Sequence, residues 1–102
     1  MANLHRGEIE AEIGGRTRKL VLTLGALAEL EAAFGVSDLV ALTERFGAGR
    51  LKASDLVRII GAGLRGAGEA VSDDDVAQMT VQGGAQEFVR MTAALIEATF
   101  GE

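Results

Sequence analysis

The feature that most constrains the fold is the apolar segment at residues 54–64, S-D-L-V-R-I-I-G-A-G-L, which has a clear helical period. One side of the predicted helix carries Leu56, Ile59, Ile60, Gly63 and Leu64. The other side carries Asp55, Arg58, Ala62 and Arg65. Ser54 or Asp55 can cap the first turn, and a glycine-rich run to Gly68 supplies the end. The segment therefore predicts a central helix with one buried face.

The same residues contain a second pattern, because Gly61, Gly63 and Gly66 spell G-x-G-x-x-G after an apolar run. In dinucleotide-binding proteins this pattern lies between a strand and a well-formed helix, with an acidic residue about 20 residues further on. Here more glycine and then three aspartates follow, which would break such a helix. We interpret the pattern as a helix and turn, and a nucleotide-binding regulatory loop at residues 61–66 is the alternative.

Composition favours a small acidic protein of one domain at residues 1–102. Only four of the 102 residues are aromatic, all Phe, so packing is expected from aliphatic helix faces rather than from aromatic clusters. Acids outnumber bases 15 to 10, which argues against nucleic acid as a partner. With no cysteine, neither a disulfide framework nor a thiolate metal site is expected. The N-terminal residues lack the apolar core of a secretion signal and no apolar run reaches the length of a membrane span, so we expect a cytoplasmic protein with no membrane partner.

The chain is expected to begin with a disordered tail at residues 1–6, followed by a hairpin within residues 7–24. Glu and apolar residues alternate up to Ile13, two glycines supply the turn, and the return strand runs from residue 16 to about residue 23. This register places Ile9 opposite Leu20 and Glu10 opposite Lys19. The edges of such a hairpin invite self-association.

A helical part is predicted for residues 25–100, and the full expectation is an α+β fold with an N-terminal β-hairpin and a small bundle of four to five helices. The first helix spans residues 24–34 and ends at Gly35. A shorter one, capped by Ser37, ends at Gly47, and residues 47–49 form a turn. Ser72 caps a short helix at residues 73–79. Residues 85–100 form the last helix, with the following side chains directed inward: Phe88, Met91, Thr92, Leu95 and Thr99.

No arrangement of residues indicates catalysis. Asp73, Asp74 and Asp75 lack the ligand spacing of a calcium loop and suit the positive end of a helix instead. His5 is the only histidine and lies in the predicted tail. We therefore expect no enzyme activity, no metal and no cofactor, and a protein whose work is to bind another protein.

Several stretches resemble a known family: E-I-E-A-E-I-G-G-R-T-R-K-L-V-L-T, L-G-A-L-A-E-L-E-A-A-F-G-V, and D-L-V-R-I-I-G-A-G-L-R-G-A-G followed by V-S-D-D-D-V. They are similar to small tail proteins of gene transfer agents and tailed phages, a family classed with tail assembly chaperones. The resemblance implies binding to the helical tape-measure protein, and possible binding to the major tail protein, in the producing cell. A structural component of the tail tube is the alternative. The candidate partner-binding residues are Ile9, Ile13, Leu20, Leu22, Leu27 and Phe34.

Overall fold

The computed structural model describes residues 7–47 and 51–101. The predicted tail at residues 1–6 and most of the predicted turn at residues 47–49 lie outside these ranges. Within them the chain forms two strands and five helices in the order β1 (Glu8–Ile13), β2 (Arg16–Val21), α1 (Leu24–Phe34), α2 (Leu39–Gly47), α3 (Ala53–Gly66), α4 (Asp73–Ala77) and α5 (Gly84–Phe100). The α+β prediction, with a hairpin followed by helices, is confirmed.

The two strands pair antiparallel in the predicted register, with Ile9 opposite Leu20 and Glu10 opposite Lys19. Gly14 and Gly15 form the turn with φ of 64° and 88°, a backbone conformation that glycine adopts without steric cost. The return strand ends at Val21 rather than near residue 23. It stops early because Thr23 is the N-cap of α1, where its side-chain oxygen accepts a hydrogen bond from Ala26 N.

Three of the four Phe side chains meet between α1, α2 and the end of α5, so the expectation that aromatic clusters are absent is wrong. The rings of Phe34 and Phe46 pack edge to face with centroids 5.8 Å apart, and Phe100 lies 6.4 Å from Phe46. The Arg45 guanidinium lies 5.1 Å from the centroid of the Phe34 ring. The Phe46 ring joins α1 and α2, which follow one another in the chain, to the end of α5, which is far away in sequence.

Helix α3 is central, as predicted, but it is buried on more than one side. It packs against β2, α1, α4 and α5. Ala62 is fully buried and Asp55 is 5% exposed, so their prediction as outward-facing residues is wrong, whereas Arg58 is exposed. Leu56, predicted inward, is only half-buried. A helix with neighbours on several sides has no single polar face, and a short side chain such as Ala62 is what allows a second helix to approach.

Of the predicted caps, Ser72 is confirmed and Ser37 is wrong, and of the two alternatives for α3, Ser54 or Asp55, it is Asp55 that accepts a hydrogen bond at the helix start. At α2 the carboxylate of Asp38, not Ser37, accepts from Ala41 N at 2.8 Å. Helix α3 begins at Ala53, before Ser54, and the Asp55 carboxylate reaches back to Lys52 N at 3.0 Å. Ser72 caps α4 as predicted, with Asp75 N donating to its hydroxyl at 3.0 Å.

The last two helices complete the core. Helix α4 is a single short turn of helix whose Val76 is buried, and it ends at Ala77, two residues before the predicted end. Helix α5 buries Met91, Thr92 and Leu95 as predicted, and the Thr92 hydroxyl donates to the Phe88 carbonyl at 2.8 Å. Among the described residues, none of the helices is both long and apolar enough to cross a membrane.

Candidate functional site

The predicted partner-binding residues lie in the interior of the fold. Five of the six, Ile9, Ile13, Leu20, Leu22 and Leu27, are buried in the core, and Phe34 is partly buried against it. The apolar stripe that they form is covered by the chain's own helices. A partner could reach the five buried residues only by opening the core, whereas Phe34 keeps a partly exposed surface.

The G-x-G-x-x-G pattern lies inside α3, which excludes the alternative of a phosphate-binding loop at residues 61–66. The glycines serve close packing instead. A Cβ at Gly63 would lie 2.8 Å from Leu95 Cδ2 and 3.2 Å from Leu20 Cβ, and a Cβ at Gly66 would overlap the Val21 carbonyl oxygen. The pattern therefore lets the central helix approach the hairpin and α5 at a distance that any side chain would prevent.

The segment that carries α4 is tied to the rest of the fold by Arg65. Its guanidinium donates to the Val71 carbonyl at 3.0 Å, lies 3.0 Å from Asp73 Oδ1, and forms a hydrogen-bonded ion pair with Glu29 of α1. Partial burial acts to lower the pKa of Arg65, but the hydrogen bonds and charges of Glu29 and Asp73 outweigh it, so the pKa is raised. This cation therefore stays charged and fixes the start of α4 against α1 and α3.

The hairpin is tied to the same segment from the other side. Arg18 donates to the Ile13 carbonyl at 2.9 Å and to the Glu69 carboxylate at 2.5 Å. At the hairpin turn, Gly14 N donates to the Thr80 carbonyl at 2.8 Å. Both ends of the connection between α3 and α5 are thus anchored, which holds α4 in place beside α3.

These ties position one side of an apolar cleft between α3, α4 and α5, which we call the α4 cleft. It has a volume of about 140 Å³. Helix α3 contributes Ala53, Leu56, Val57 and Ile60, while the α4 segment contributes Val76, Ala77 and Met79, and α5 contributes Ala85 and Phe88. Ile60 and Val76 are buried, and the three alanines are exposed. The cleft is therefore an apolar pocket whose exposed lining residues have small side chains.

Single apolar side chains are also exposed elsewhere. Leu24 is 79% exposed, Val40 69% and Val89 51%. They lie on α1, α2 and α5 respectively. Leu39, next to Val40, is exposed as well, and Val89 lines a wider groove with Phe46, Leu51, Ala93 and Ile96. The α4 cleft is the more enclosed of the two apolar sites, so it is the stronger candidate.

The three aspartates of α4 have different surroundings. Asp73 contacts Arg65, and Asp75 accepts from Ser72 N at 2.9 Å, which completes a capping box. Asp74 is exposed and has no partner among the described residues. Within residues 7–47 and 51–101 no group of three or more His, Cys, Asp or Glu is arranged to hold a metal ion. The aspartates therefore begin a helix, as predicted.

This cleft was not predicted from the sequence. Leu56, Ile60 and Phe88 were assigned to buried helix faces, and the other lining residues had no assigned place in a site. Ala53, Ala77 and Ala85 stand at the ends of their helices or one residue inside them. Nothing in the sequence alone states that these three alanines meet.

Comparison with known protein families matches residues 6–102 to a family described as phage tail tube protein, GTA-gp10. The chain belongs to this family. The resemblance to tail proteins of gene transfer agents and phages is thereby confirmed. Searches for similar curated proteins and similar solved structures gave no match.

Proposed function

We propose that the chain is a tail assembly chaperone that binds the tape-measure protein of its own tail and assists assembly of the tail tube. The observation that carries the proposal is the α4 cleft, an open apolar pocket on a member of a tail-protein family. The work proposed is binding without catalysis. It takes place in the cytoplasm of the producing cell, before the tail is complete.

The physical reason is the surface that a tape-measure protein exposes before the tube encloses it. A long helical protein of this kind carries amphipathic helices whose apolar stripes are open to water. Docking such a stripe in an apolar cleft between helices is a common mode of recognition. Each bound copy of the chain would cover part of the stripe, which lowers the tendency of the partner to aggregate.

Co-expression with the tape-measure protein of the same tail gene cluster tests this proposal. We expect a soluble complex with several copies of the chain per partner, measured by pull-down and by size-exclusion chromatography with light scattering. Because the contact is apolar, the complex should survive raised salt, whereas a contact held only by the acidic C-terminal third should weaken as the Debye length falls from about 10 Å at 0.1 M to about 3 Å at 1 M. A tape-measure protein that stays insoluble, with no complex at either salt concentration, would refute the proposal.

The second candidate function is a structural component of the tail tube, and the family description favours it. A tube component remains in the finished particle in stoichiometric amount and contacts the major tail protein, whereas a chaperone leaves. Quantitative mass spectrometry of purified particles separates the two. Self-association through the hairpin edge would accompany either function, because a two-stranded sheet has outer edges that can pair with another copy.

A further inference from the structure

One side of α5 carries apolar residues that the described part of the fold leaves at least partly open to water. Val89, Ala93, Ile96 and Phe100 follow one another at spacings of four, three and four residues, which places them on one stripe of the helix. Val89 is 51% exposed, Ala93 is exposed, and Ile96 and Phe100 are half-buried. We call these four residues the α5 stripe. Their spacing is the one by which two helices pack along their length.

The α5 stripe forms one wall of a groove. The opposite wall consists of Phe46 at the end of α2, which is buried, and Leu51 before α3, which is half-buried. Two basic side chains adjoin this opposite wall: Lys52 is exposed, and Arg45 is partly exposed and lies 3.8 Å from Asp55. The groove is therefore suited to an apolar helix stripe whose flanks carry more acidic than basic residues.

The charges beside the α5 stripe indicate which helix this is. Arg90 and Glu97 directly follow Val89 and Ile96 of the stripe, and both are exposed. They are seven residues apart, so about 10 Å separates them along the helix and they do not pair with each other. Within residues 7–47 and 51–101, Glu97 has no ion pair and Arg90 has only a 3.6 Å contact with Glu87. Helix α5 thus carries two acids and one base, and its exposed charges complement those of an identical helix that runs in the opposite direction.

We propose that the α5 stripe is the interface of a two-fold symmetric dimer, in which it packs antiparallel, within the groove, against the α5 stripe of a second copy of this chain. In that arrangement Ala93 faces Ile96 of the second copy and Val89 faces its Phe100, so each layer joins a smaller side chain to a larger one. Arg90 lies beside Glu97 of the second copy, and the symmetry forms this ion pair twice. A parallel pair would keep the two residues about 10 Å apart along the axis. The dimer goes beyond the proposed function, because it needs no tape-measure protein.

Charge reversal tests the two ion pairs. Sedimentation equilibrium of the chain alone, over a range of concentrations, should show a dimer for the wild type. Arg90→Glu and Glu97→Arg each place like charges opposite each other twice, so each should weaken the dimer about tenfold or more. A mixture of the two variants should form a heterodimer, and the double variant a homodimer, because both restore the two ion pairs. A wild type that stays monomeric, single variants that dimerise as it does, or a mixture that stays monomeric would overturn the inference.

Two adjacent alanines locate the contact. Ala93→Glu places a charge at the centre of the stripe and should abolish the dimer, whereas Ala94→Glu, at an exposed position outside the stripe, should leave the dissociation constant unchanged. Both alanines are exposed in the single chain, so both variants should fold, which circular dichroism checks. If Ala93→Glu dimerises as tightly as the wild type, the copies meet elsewhere, at the hairpin edge for example, and the assignment of the interface is wrong.

The direction of the helices can be measured with an introduced thiol, because the chain has no cysteine of its own. In the antiparallel dimer the two copies of residue 93 lie near the two-fold axis, whereas the two copies of residue 86 are about 25 Å apart. With a short thiol-specific crosslinker, Ala93→Cys should therefore give a covalent dimer, and Gln86→Cys, at another exposed position of α5, should not. Efficient crosslinking of Gln86→Cys, or none of Ala93→Cys, would refute the antiparallel arrangement.

Discussion

Replacing Gly66 by Ala tests the claim that glycine is required where α3 crosses the hairpin. Two effects oppose each other. Alanine favours a helix over glycine by about 1 kcal/mol. Against this, the new Cβ would overlap the carbonyl oxygen of Val21, and overpacking of a well-packed site costs about 1–3 kcal/mol. The obstacle is backbone and cannot rotate away, so we place the cost at the upper end of that range. The net loss of unfolding free energy is then about 2 kcal/mol.

Gly25 and Gly63 supply the matched comparisons. A Cβ at Gly25, inside α1, would have Thr23 Oγ1 as its nearest neighbour at 3.8 Å, so Gly25→Ala should gain stability, by up to about 1 kcal/mol. At Gly63 the nearest atom is the end of the Leu95 side chain at 2.8 Å, which can move, so Gly63→Ala should fall between the wild type and Gly66→Ala.

Urea unfolding at 25 °C and thermal melting by circular dichroism measure this series. For a domain of this size about 1 kcal/mol corresponds to a shift in Tm of about 4–8 °C, so Gly66→Ala should melt roughly 8–16 °C below the wild type. The expected order of stability is Gly25→Ala, wild type, Gly63→Ala, Gly66→Ala. If Gly66→Ala melts at or above the wild type, the close approach to Val21 is not the reason for a glycine at this position.

Five further substitutions at four positions and one ligand experiment test other contacts. Ile60→Asp should unfold the domain, because an unpaired charge at a residue that is only 1% exposed costs several kcal/mol, against a total unfolding free energy of about 5–15 kcal/mol. Arg58→Ala, at an exposed position of the same helix, should leave Tm nearly unchanged. Asp55→Ala should cost about 1–2 kcal/mol in urea unfolding because Lys52 N loses its acceptor, and equal stability of Asp55→Asn and Asp55→Ala would contradict this reason. Arg65→Ala should lower the free energy of unfolding by only about 1 kcal/mol, since its ion pairs are partly exposed. Hydrogen exchange should nevertheless rise selectively across residues 69–83. A rise that is uniform along the chain would argue against a local role of Arg65. ATP, ADP or a dinucleotide at millimolar concentration should leave Tm unchanged, and a clear rise would reopen the reading of residues 61–66 as a nucleotide site.

The hairpin could be predicted from the sequence because all of its signals are local. A period of two fixes which residues share a face, and Gly14 and Gly15 fix the turn, so the pairing of Ile9 with Leu20 follows. Helix positions were predictable for the same reason, since four of the five described helices end at a glycine or next to one. Helix α4 has no glycine near its end at Ala77, and its end was predicted two residues too late. The cap residues could not be predicted in the same way. Ser37 and Asp38 are adjacent and both can cap a helix, and only the backbone geometry of the first turn selects Asp38.

The burial of α3 could not be predicted from its own period. A helical pattern separates an apolar face from a polar face, but α3 has neighbours on several sides, and Ala62 is buried as completely as Leu64. Asp55 is buried for a different reason, because its carboxylate satisfies a backbone N–H of the helix start and lies 3.8 Å from Arg45. Small and capping residues are thus the positions at which helical periodicity predicts exposure wrongly.

The same limit explains why the candidate binding residues and the α4 cleft were not distinguished. An apolar stripe such as Ile9, Ile13 and Leu20 has the same sequence pattern whether it is covered by the chain's own helices or by a partner. The distinction depends on volume: where large side chains meet, the core closes, and where Ala53, Ala77 and Ala85 meet, it stays open. A buried Leu or Phe stabilises a fold by about 1.5–3 kcal/mol. With three alanines around one pocket, the free chain lacks the stabilisation that a large side chain in the pocket would provide. A partner side chain can supply that burial only when it is bound, which couples the stability of the chain to the binding that we propose as its function.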